Sequence, residues 1–397
     1  MLYDESGLKD SCRHAQTDAL LPGNSSMNGR SSNPHDGKFY IPALDGLRAV
    51  AFLLVFLGHA GLERYVPGGF GVTVFFFLSG YLITTLLRIE SQKTGTISLK
   101  KFYIRRCRRI LPPMYITLGL AYLLGYVGFL ATQGTLKGAL AAVFYYANYL
   151  DLICHKTFLP SGMGLVWSLM IEEHFYFVFP LIYLFFTKNG WSRRSQTSTL
   201  LLLCGVALLW RCLLVTAFHV PILPGNAGSS GWTYIATDAR FDAILWGCIL
   251  AIADNPWLHD DSRESLFWKH KETLAVIGVL LLFFSLVWRN GFFRETIRYS
   301  VQSAALYPIF FYCISARSSW PVRILDIKVL REIGNLSYSM YLIHYMLLQS
   351  IGRYVHVGRI AIAAIAFTLT LAYAACMRIL VEDPLRRMAR PIAPKQA

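Results

Sequence analysis

Long apolar segments separated by short polar ones run along the chain from about residue 43 to residue 380. The segments are continuously apolar rather than alternating, which is typical of membrane-spanning helices and not of barrel strands. A helix needs roughly 20 apolar residues to cross a bilayer. Eleven segments approach that length, near residues 43–61, 70–88, 110–131, 136–153, 165–187, 199–219, 236–254, 272–288, 299–316, 336–355 and 360–380. We therefore predict an all-α integral membrane protein.

The basic residues between these segments indicate how many of them cross. Eight basic residues lie between residues 88 and 109, and others lie at 188–194 and after residue 384. Lys and Arg favour the cytoplasmic side, and these three assignments cannot coexist with eleven complete crossings. They agree if the segment 136–153, which polar Asn148 and Asp151 interrupt, does not cross completely. We predict a bundle of about ten transmembrane helices with one short non-spanning segment and both termini in the cytoplasm.

Composition supports the same class of protein. The 397 residues are 55% hydrophobic and only 15% charged, whereas soluble domains carry about 25% charged residues. This excludes a soluble enzyme and a disordered protein. The basic residues that give the net charge of +15 lie between apolar segments, so we assign them to membrane anchoring rather than to nucleic-acid binding. The eight cysteines are scattered without metal-ligand spacing, so we expect no metal site and no disulfide framework.

The two ends of the chain differ from the apolar region. Residues 1–38 are polar and lack a signal-peptide core, so we predict a disordered cytoplasmic tail. Residues 39–388 form one membrane domain in this interpretation, and residues 389–397 form a short cytoplasmic tail.

Ionisable residues inside apolar segments are functional candidates, because burying a charge in a membrane costs several kcal/mol unless it is paired or hydrated. Asp45, Arg48 and His59 lie on the first segment. Arg48 and His59 are eleven positions apart, about 20° past three helical turns, so both share a face roughly 16 Å apart. A neutral imidazole can accept the proton of a hydroxyl group. The alternative is that Arg48 pairs with Asp45 and His59 caps a helix end.

A dense run of arginines precedes the third segment. It contains Arg105, Arg106, Arg108 and Arg109. Guanidinium groups bind phosphate in a bidentate manner, so one hypothesis is a phosphate-bearing donor on the inner side. Anchoring by positive charge is the other.

The segment that begins at Trp167 carries the adjacent carboxylates Glu172 and Glu173. They point about 100° apart on a helix, so only one is expected to face a shared cavity. A structural ion pair with Arg48 or Arg240 and a catalytic role are equally compatible with this pattern.

Two further clusters lie later in the chain. Asp238 and Asp242 are four residues apart and are expected to share a face, with Arg240 on another. An internal ion-pair network and binding of an acceptor are the two interpretations, since carboxylates accept hydrogen bonds from sugar hydroxyls. Tyr341 and His344 are three residues apart and can face one cavity, although a buried, hydrogen-bonded histidine is the more common case.

Taken together, these motifs resemble acyltransferase family 3, the membrane acyltransferases that include O-antigen, Nod-factor and macrolide acyltransferases. The resemblance covers about residues 39–388. The matching elements are Arg48 with His59 ten residues between, Phe75–Leu82 (FFFLSGYL), Arg106 with Arg109, Trp167–Tyr176 (WSLMIEEHFY), Ser337–His344 (SYSMYLIH) and Glu382–Pro384 (EDP). His174 stands where the family often has Gln.

The resemblance implies transfer of an acyl group, commonly acetyl, from cytoplasmic acetyl-CoA to a carbohydrate hydroxyl, in a bacterial inner or plasma membrane. It implies no tightly bound cofactor. We assign candidate catalytic roles to His59, Arg48, Glu172 and Glu173 and donor-binding roles to Arg105, Arg106, Arg109, Ser79 and Tyr81. The candidate acceptor-binding or structural network is Asp45, Trp167, Asp238, Arg240, Asp242, Tyr341 and His344.

The acceptor and the partners stay open at this point. A macrolide or lipid acceptor, or a longer acyl donor, is compatible with the same residues. A transporter of acyl donor or glycolipid and a non-catalytic membrane scaffold are the hypotheses from other classes. Some family members carry an extracytoplasmic hydrolase-like domain. Because this chain stops soon after Glu382, we expect it to complete the transfer itself or to pass the acyl group to a separate extracytoplasmic transferase.

Overall fold

The computed structural model describes residues 39–220, 231–258 and 265–388, and every regular element within those ranges is helical. The prediction of an all-α protein is thereby confirmed for this part of the chain. The compact unit begins at Ile41. The predicted tails, residues 1–38 and 389–397, lie outside the described residues.

The helices follow one another with short connections. In chain order they are α1 Pro42–Leu57, α2 Gly68–Thr94, α3 Leu99–Tyr126, α4 Leu136–Val143, α5 Ala147–Cys154, α6 Trp167–Lys188, α7 Arg193–Thr216, α8 Trp232–Ile235, α9 Thr237–Arg240, α10 Asp242–Ala253, α11 Leu266–Lys269, α12 Lys271–Val287, α13 Gly291–Glu295, α14 Ile297–Ser315, α15 Trp320–Leu325, α16 Lys328–Tyr354, α17 Arg359–Met377 and α18 Asp383–Met388. Wider π-type turns over Gly58–Leu62 and Arg378–Glu382 extend α1 and α17, and a 3-10 turn over Gly164–Val166 precedes α6.

Five helical stretches in the described part of the chain are long and apolar enough to cross a membrane, so the chain is a membrane protein. They are Pro42–Leu62, Gly68–Thr94, Gly164–Lys188, Arg193–Thr216 and Arg359–Arg387. Helices α3 and α16 are 28 and 27 residues long but carry more charged and polar residues. The total of about ten crossings and the cytoplasmic position of the termini stay predictions.

The segment 136–153, predicted not to cross, consists of two short helices. Helices α4 and α5 have eight residues each, or about 12 Å, against a hydrocarbon core of about 30 Å. Tyr145 between them has a φ of 59°, which interrupts the helical backbone. Neither helix is long enough to span.

Glycines let two pairs of helices approach closely. A Cβ atom at Gly80 of α2 would collide with the carbonyl of Ile244 in α10, and one at Gly247 of α10 would collide with the carbonyl of Phe77 in α2. Gly334 of α16 lies in the same way against the backbone of Asp45 in α1. Small residues at such crossings are typical of membrane helix pairs. The packing brings the motifs of α1, α2, α6, α10 and α16 into one region.

Candidate active site

Two histidines from distant parts of the chain lie in contact. His59 is in the π-type turn after α1, where Gly61 has a φ of 93°. Its Nδ1 atom is 2.9 Å from Nε2 of His344 in α16, and the two rings are stacked with centroids 5.2 Å apart and planes 20° apart. Single-turn π segments are frequent at functional sites because they re-aim a side chain. Here the turn directs His59 onto α16.

His344 is completely buried, while His59 is exposed. Phe52 and Phe56 of α1 pack against the His344 ring at centroid distances of 5.6 and 6.1 Å. The Nδ1 atom of His344 is 2.8 Å from the backbone oxygen of Tyr341. Both ring nitrogens of His344 therefore have a hydrogen-bond partner, whereas one side of the His59 ring is exposed.

Tyr341 connects this pair to α6. The hydroxyl groups of Tyr341 and Ser168 are 2.8 Å apart, and Tyr341 also donates to the carbonyl of Leu165 at 3.2 Å. Trp167, the neighbour of Ser168, packs on Tyr234 at a centroid distance of 4.7 Å. Tyr341 thereby links α16 to α6, and Trp167 links α6 to α8.

One turn further along α6, Glu172 accepts two hydrogen bonds. Ser79 of α2 donates to Oε1 at 2.9 Å, and Tyr176 donates to Oε2 at 3.3 Å and to the Ser79 oxygen at 3.0 Å. Glu173 points elsewhere and interacts electrostatically with Arg106 and Glu172. Of the two adjacent carboxylates, Glu172 is the one that belongs to the polar network.

The arginine run lies on α3 rather than in a loop before it. Ser98 caps the helix by accepting from the backbone N–H of Lys101. The guanidinium of Arg106 lies over the rings of Phe102 and Tyr176, at 5.7 and 5.6 Å from their centroids. Arg106 therefore contacts the network that contains Glu172 and Ser79.

A small cleft opens beside Arg106. It has a volume of about 190 Å³ and is lined by Leu86, Leu87, Ile89, Glu90, Phe102, Arg105 and Arg106. Ligand pockets for whole drug-sized molecules measure roughly 300–1,000 Å³. The cleft has room for an anionic group rather than for an entire nucleotide.

The other arginines differ in their partners. Arg105 forms an ion pair with Glu90 at 3.0 Å, and Arg48 forms one with Asp45 at 2.7 Å. Arg48, Arg106 and Arg109 are near enough to repel one another. Such a concentration of positive charge is suited to binding a phosphate.

Two groups of polar contacts lie along α6, one beside the arginines and one beside the histidines. Arg106 lies on Tyr176, and Tyr176 and Ser79 bond to Glu172. Ser168, four residues from Glu172 and therefore on the same face of α6, bonds to Tyr341, three residues before His344. These groups form a series of polar side chains along α6, between α3 and the helix that carries His344.

Asp238 and Asp242, expected to share a helix face, lie on α9 and α10 on either side of Phe241, and both contact α7, at Trp210 and Arg211, although their sets of partners differ. Asp238 accepts from the Tyr149 hydroxyl at 2.6 Å and from the indole N–H groups of Trp210 and Trp232 at 2.5 and 3.0 Å. Burial, together with this carboxylate, raises the pKa of Tyr149 to about 12, so the hydroxyl stays protonated and donates.

Asp242 forms an ion pair with Arg211 of α7, a residue that sequence reasoning did not select. Both side chains are completely buried, with Nη2 of Arg211 2.7 Å from Oδ2 of Asp242. The available signal was a lone arginine inside an otherwise apolar segment. This pair is the internal ion pair that was one of the two interpretations of the cluster.

Arg240 is also completely buried but has no carboxylate within hydrogen-bonding distance in the described residues. Its Nη2 atom donates to Thr73 at 3.2 Å, and its guanidinium lies 3.9 Å from the ring centroid of Tyr299. Its Nε and Nη1 atoms are buried without a hydrogen-bond partner.

Tyr81, assigned to donor binding from the sequence, lies outside this network. It is completely buried, and its hydroxyl donates to Asn255 at 2.9 Å. The Nδ1 atom of His174 is 2.7 Å from the hydroxyl oxygen of Thr237. Both side chains contribute to packing between helices.

Comparisons with known proteins point in one direction. The chain matches a protein-family model described as an acyltransferase domain over residues 41–378. It is similar to the peptidoglycan O-acetyltransferase OatA of Listeria monocytogenes, with 32% identity over 318 residues, 77% of this chain and 49% of that protein. It is also similar to the O-acetyltransferase OatA of Staphylococcus aureus, with 31% identity over 370 residues, 88% of this chain and 57% of that protein. The chain thus spans about half the length of these curated relatives. No solved structure matches it.

Proposed function

The chain belongs to the acyltransferase family whose model covers residues 41–378, and from this premise we propose that it is a membrane-bound O-acyltransferase. It transfers an acyl group, in the simplest case acetyl, from acyl-CoA on the cytoplasmic side to a hydroxyl group of a carbohydrate or glycoconjugate at the membrane. The relatives named as O-acetyltransferases support the acetyl group and an oxygen acceptor.

The contact between His59 and His344 is the observation that carries the proposal. A general base must reach the hydroxyl from which it takes a proton. His59 is exposed, and within the described residues it is hydrogen-bonded through one ring nitrogen only, so its other nitrogen is available to a substrate. The base accepts the hydroxyl proton as the new oxygen–carbon bond forms. The thioester carbon–sulfur bond then breaks, and the proton leaves with the thiolate.

The arginines of α1 and α3 support the donor side of the proposal. The mutual repulsion of Arg48, Arg106 and Arg109 is relieved when a polyanion binds among them. A cleft of about 190 Å³ beside Arg106 accommodates a phosphate group but not the whole of coenzyme A. The remainder of the donor would extend along the polar series through Glu172 towards His59.

The carbohydrate acceptor is supported by two features. One relative is named as acting on peptidoglycan, a glycan polymer. In this chain, Trp210 of α7 and Trp232 of α8 are only partly buried and offer apolar faces of the kind that pack against sugar rings.

The test uses membranes that contain the full chain and acetyl-CoA labelled in the acetyl group. Glycans and lipids are extracted separately, and the label in each is counted. We expect label in the glycan fraction, and a loss of about 10²–10⁴-fold in His59→Ala, the range for removal of a general base. His356→Ala is the matched control, because His356 is an exposed histidine in the loop after α16.

Two outcomes would contradict the proposal. Equal transfer by His59→Ala and wild type, at equal expression, would remove the base from the mechanism. Label found only in lipid would replace the carbohydrate acceptor by a lipid one.

A further inference from the structure

Both ring nitrogens of His344 have fixed partners. Nδ1 is 2.8 Å from the backbone oxygen of Tyr341, and Nε2 is 2.9 Å from Nδ1 of His59. A carbonyl oxygen can only accept a hydrogen bond. A neutral His344 must therefore carry its proton on Nδ1, which leaves a lone pair on Nε2.

The proton position in His59 follows from this. Since Nε2 of His344 accepts, Nδ1 of His59 must donate, and a neutral His59 carries its proton there. The lone pair of His59 then lies on Nε2, for which the described residues provide no hydrogen-bond partner. His344 is completely buried and His59 is exposed, so this lone pair is the one that a substrate can reach.

We infer that His344 is a positioning residue that fixes the tautomer and ring orientation of His59, so that Nε2 of His59 is the atom that deprotonates the acceptor. The inference rests on the proposed function. The acceptor proton moves to Nε2 as the ester oxygen–carbon bond forms, and it leaves with the thiolate when the carbon–sulfur bond breaks. While His59 is an imidazolium, its Nδ1–H still donates to His344.

The surroundings favour a neutral acceptor in this role. In serine-protease-type triads a buried carboxylate orients the histidine, whereas here the orienting residue packs against the candidate membrane span Pro42–Leu62, where a fixed charge is costly. Phe52 and Phe56 enclose the His344 ring. A second imidazole provides an acceptor without placing a charge between these aromatic rings.

The test compares His344→Gln with His344→Met. These side chains have nearly the same length and shape, and the Gln amide ends near the place of the imidazole Nε2. Gln offers an oxygen acceptor to Nδ1–H of His59, while the Met sulfur is a weak acceptor. We expect kcat to fall about 10–10²-fold in His344→Met and to stay within about fivefold of wild type in His344→Gln, with the KM for the donor unchanged in both.

Equal kcat values for the Gln and Met variants, whether both high or both low, would overturn the inference, because the acceptor atom would then make no difference. The proposed function is tested separately by His59→Ala. A fully active His59→Ala rejects the base, whereas an inactive one together with equal Gln and Met variants rejects only the positioning role.

A second measurement does not depend on a His344 variant. In the full chain with ¹⁵N-labelled histidine, the ring signals of His59 are identified among the ten histidines by their loss in His59→Asn. We expect a protonated Nδ1 and an unprotonated Nε2 in the neutral ring. A proton on Nε2 instead would overturn the inference.

Discussion

Two polar contacts between helices in this bundle are built in opposite ways. Arg211 and Asp242 are both completely buried, and the guanidinium has a partner on every nitrogen. Those partners are the carbonyls of Thr296 and Ala239, both oxygens of Asp242 and the hydroxyl of Ser300. The pair of His59 and His344 is saturated on the buried ring only, and the other ring is open.

The difference separates stability from reactivity. A buried ion pair whose hydrogen bonds are all made can hold helices in place, but it has no donor or acceptor left for a substrate. A ring that is anchored through one nitrogen and open at the other can exchange a proton without losing its position. We therefore expect variants in the first region to change stability and variants in the second to change rate.

The largest expected effect is that of His59→Asn. The Asn amide can still donate to Nε2 of His344, near the place of Nδ1, but it has no base at the position of Nε2. Acyl transfer should fall about 10²–10⁴-fold, while the thermal unfolding temperature of the detergent-solubilised chain should stay close to that of wild type. A variant that unfolds at a much lower temperature would mean that the histidine pair is structural, like the ion pair.

Asp242→Ala is expected to give the reverse result. Removal of the carboxylate leaves the buried charge of Arg211 uncompensated, which costs about 3–5 kcal/mol of folding free energy. The check is thermal unfolding, or the yield of folded protein if the variant is too unstable to purify. The double variant Arg211→Met, Asp242→Leu is the matched control and should recover much of the loss, because no unpaired charge remains.

The sequence predicted where the helices lie better than it predicted which helices pack against each other. Apolar length alone located a helix at each of the ten segments expected to cross, and a polar interruption located the short helices α4 and α5. The contact between His59 and His344 joins positions 285 residues apart. It depends on glycine-mediated packing of α1 against α16 and on a π-type turn, neither of which a single sequence reveals.

The cluster at 238–242 shows what regular helical spacing does not reveal. The i, i+4 rule placed Asp238 and Asp242 on one face, and both contact α7, but each carboxylate has its own set of partners. The actual partner of Asp242, Arg211, was visible only as a charge inside an apolar segment. Burial of charge identified Asp242 but not Arg211, and only the structure identified their pairing.

A smaller effect is expected at the arginines of α3. Arg106→Gln removes a charged donor beside the cleft, and one charge-assisted hydrogen bond is worth about 1.5–3 kcal/mol, so the KM for acetyl-CoA should rise about tenfold or more with little change in kcat. Arg108→Gln is the control, since Arg108 is exposed on the same helix and does not line the cleft. Equal KM values for the two variants would indicate that the run acts only through its total charge.

The smallest change in stability is expected for Arg240→Met, which tests whether burial alone distinguishes the two regions. Arg240 is as buried as Arg211, but two of its nitrogens lack partners among the described residues, and its guanidinium lies 3.9 Å from the ring centroid of Tyr299. Loss of the cation–π contact costs about 0.5–2 kcal/mol, and removal of unsatisfied buried donors returns about 1–3 kcal/mol. The two effects nearly cancel, so the unfolding temperature should change little. Arg211→Met, which leaves Asp242 unpaired, should by contrast lower it strongly.

If Arg240→Met is nearly as stable as wild type yet has a raised KM for the acceptor, then the unsatisfied guanidinium belongs with the open histidine as a functional group. An equally large loss of stability in both variants would mean that the difference in hydrogen bonding has no energetic consequence.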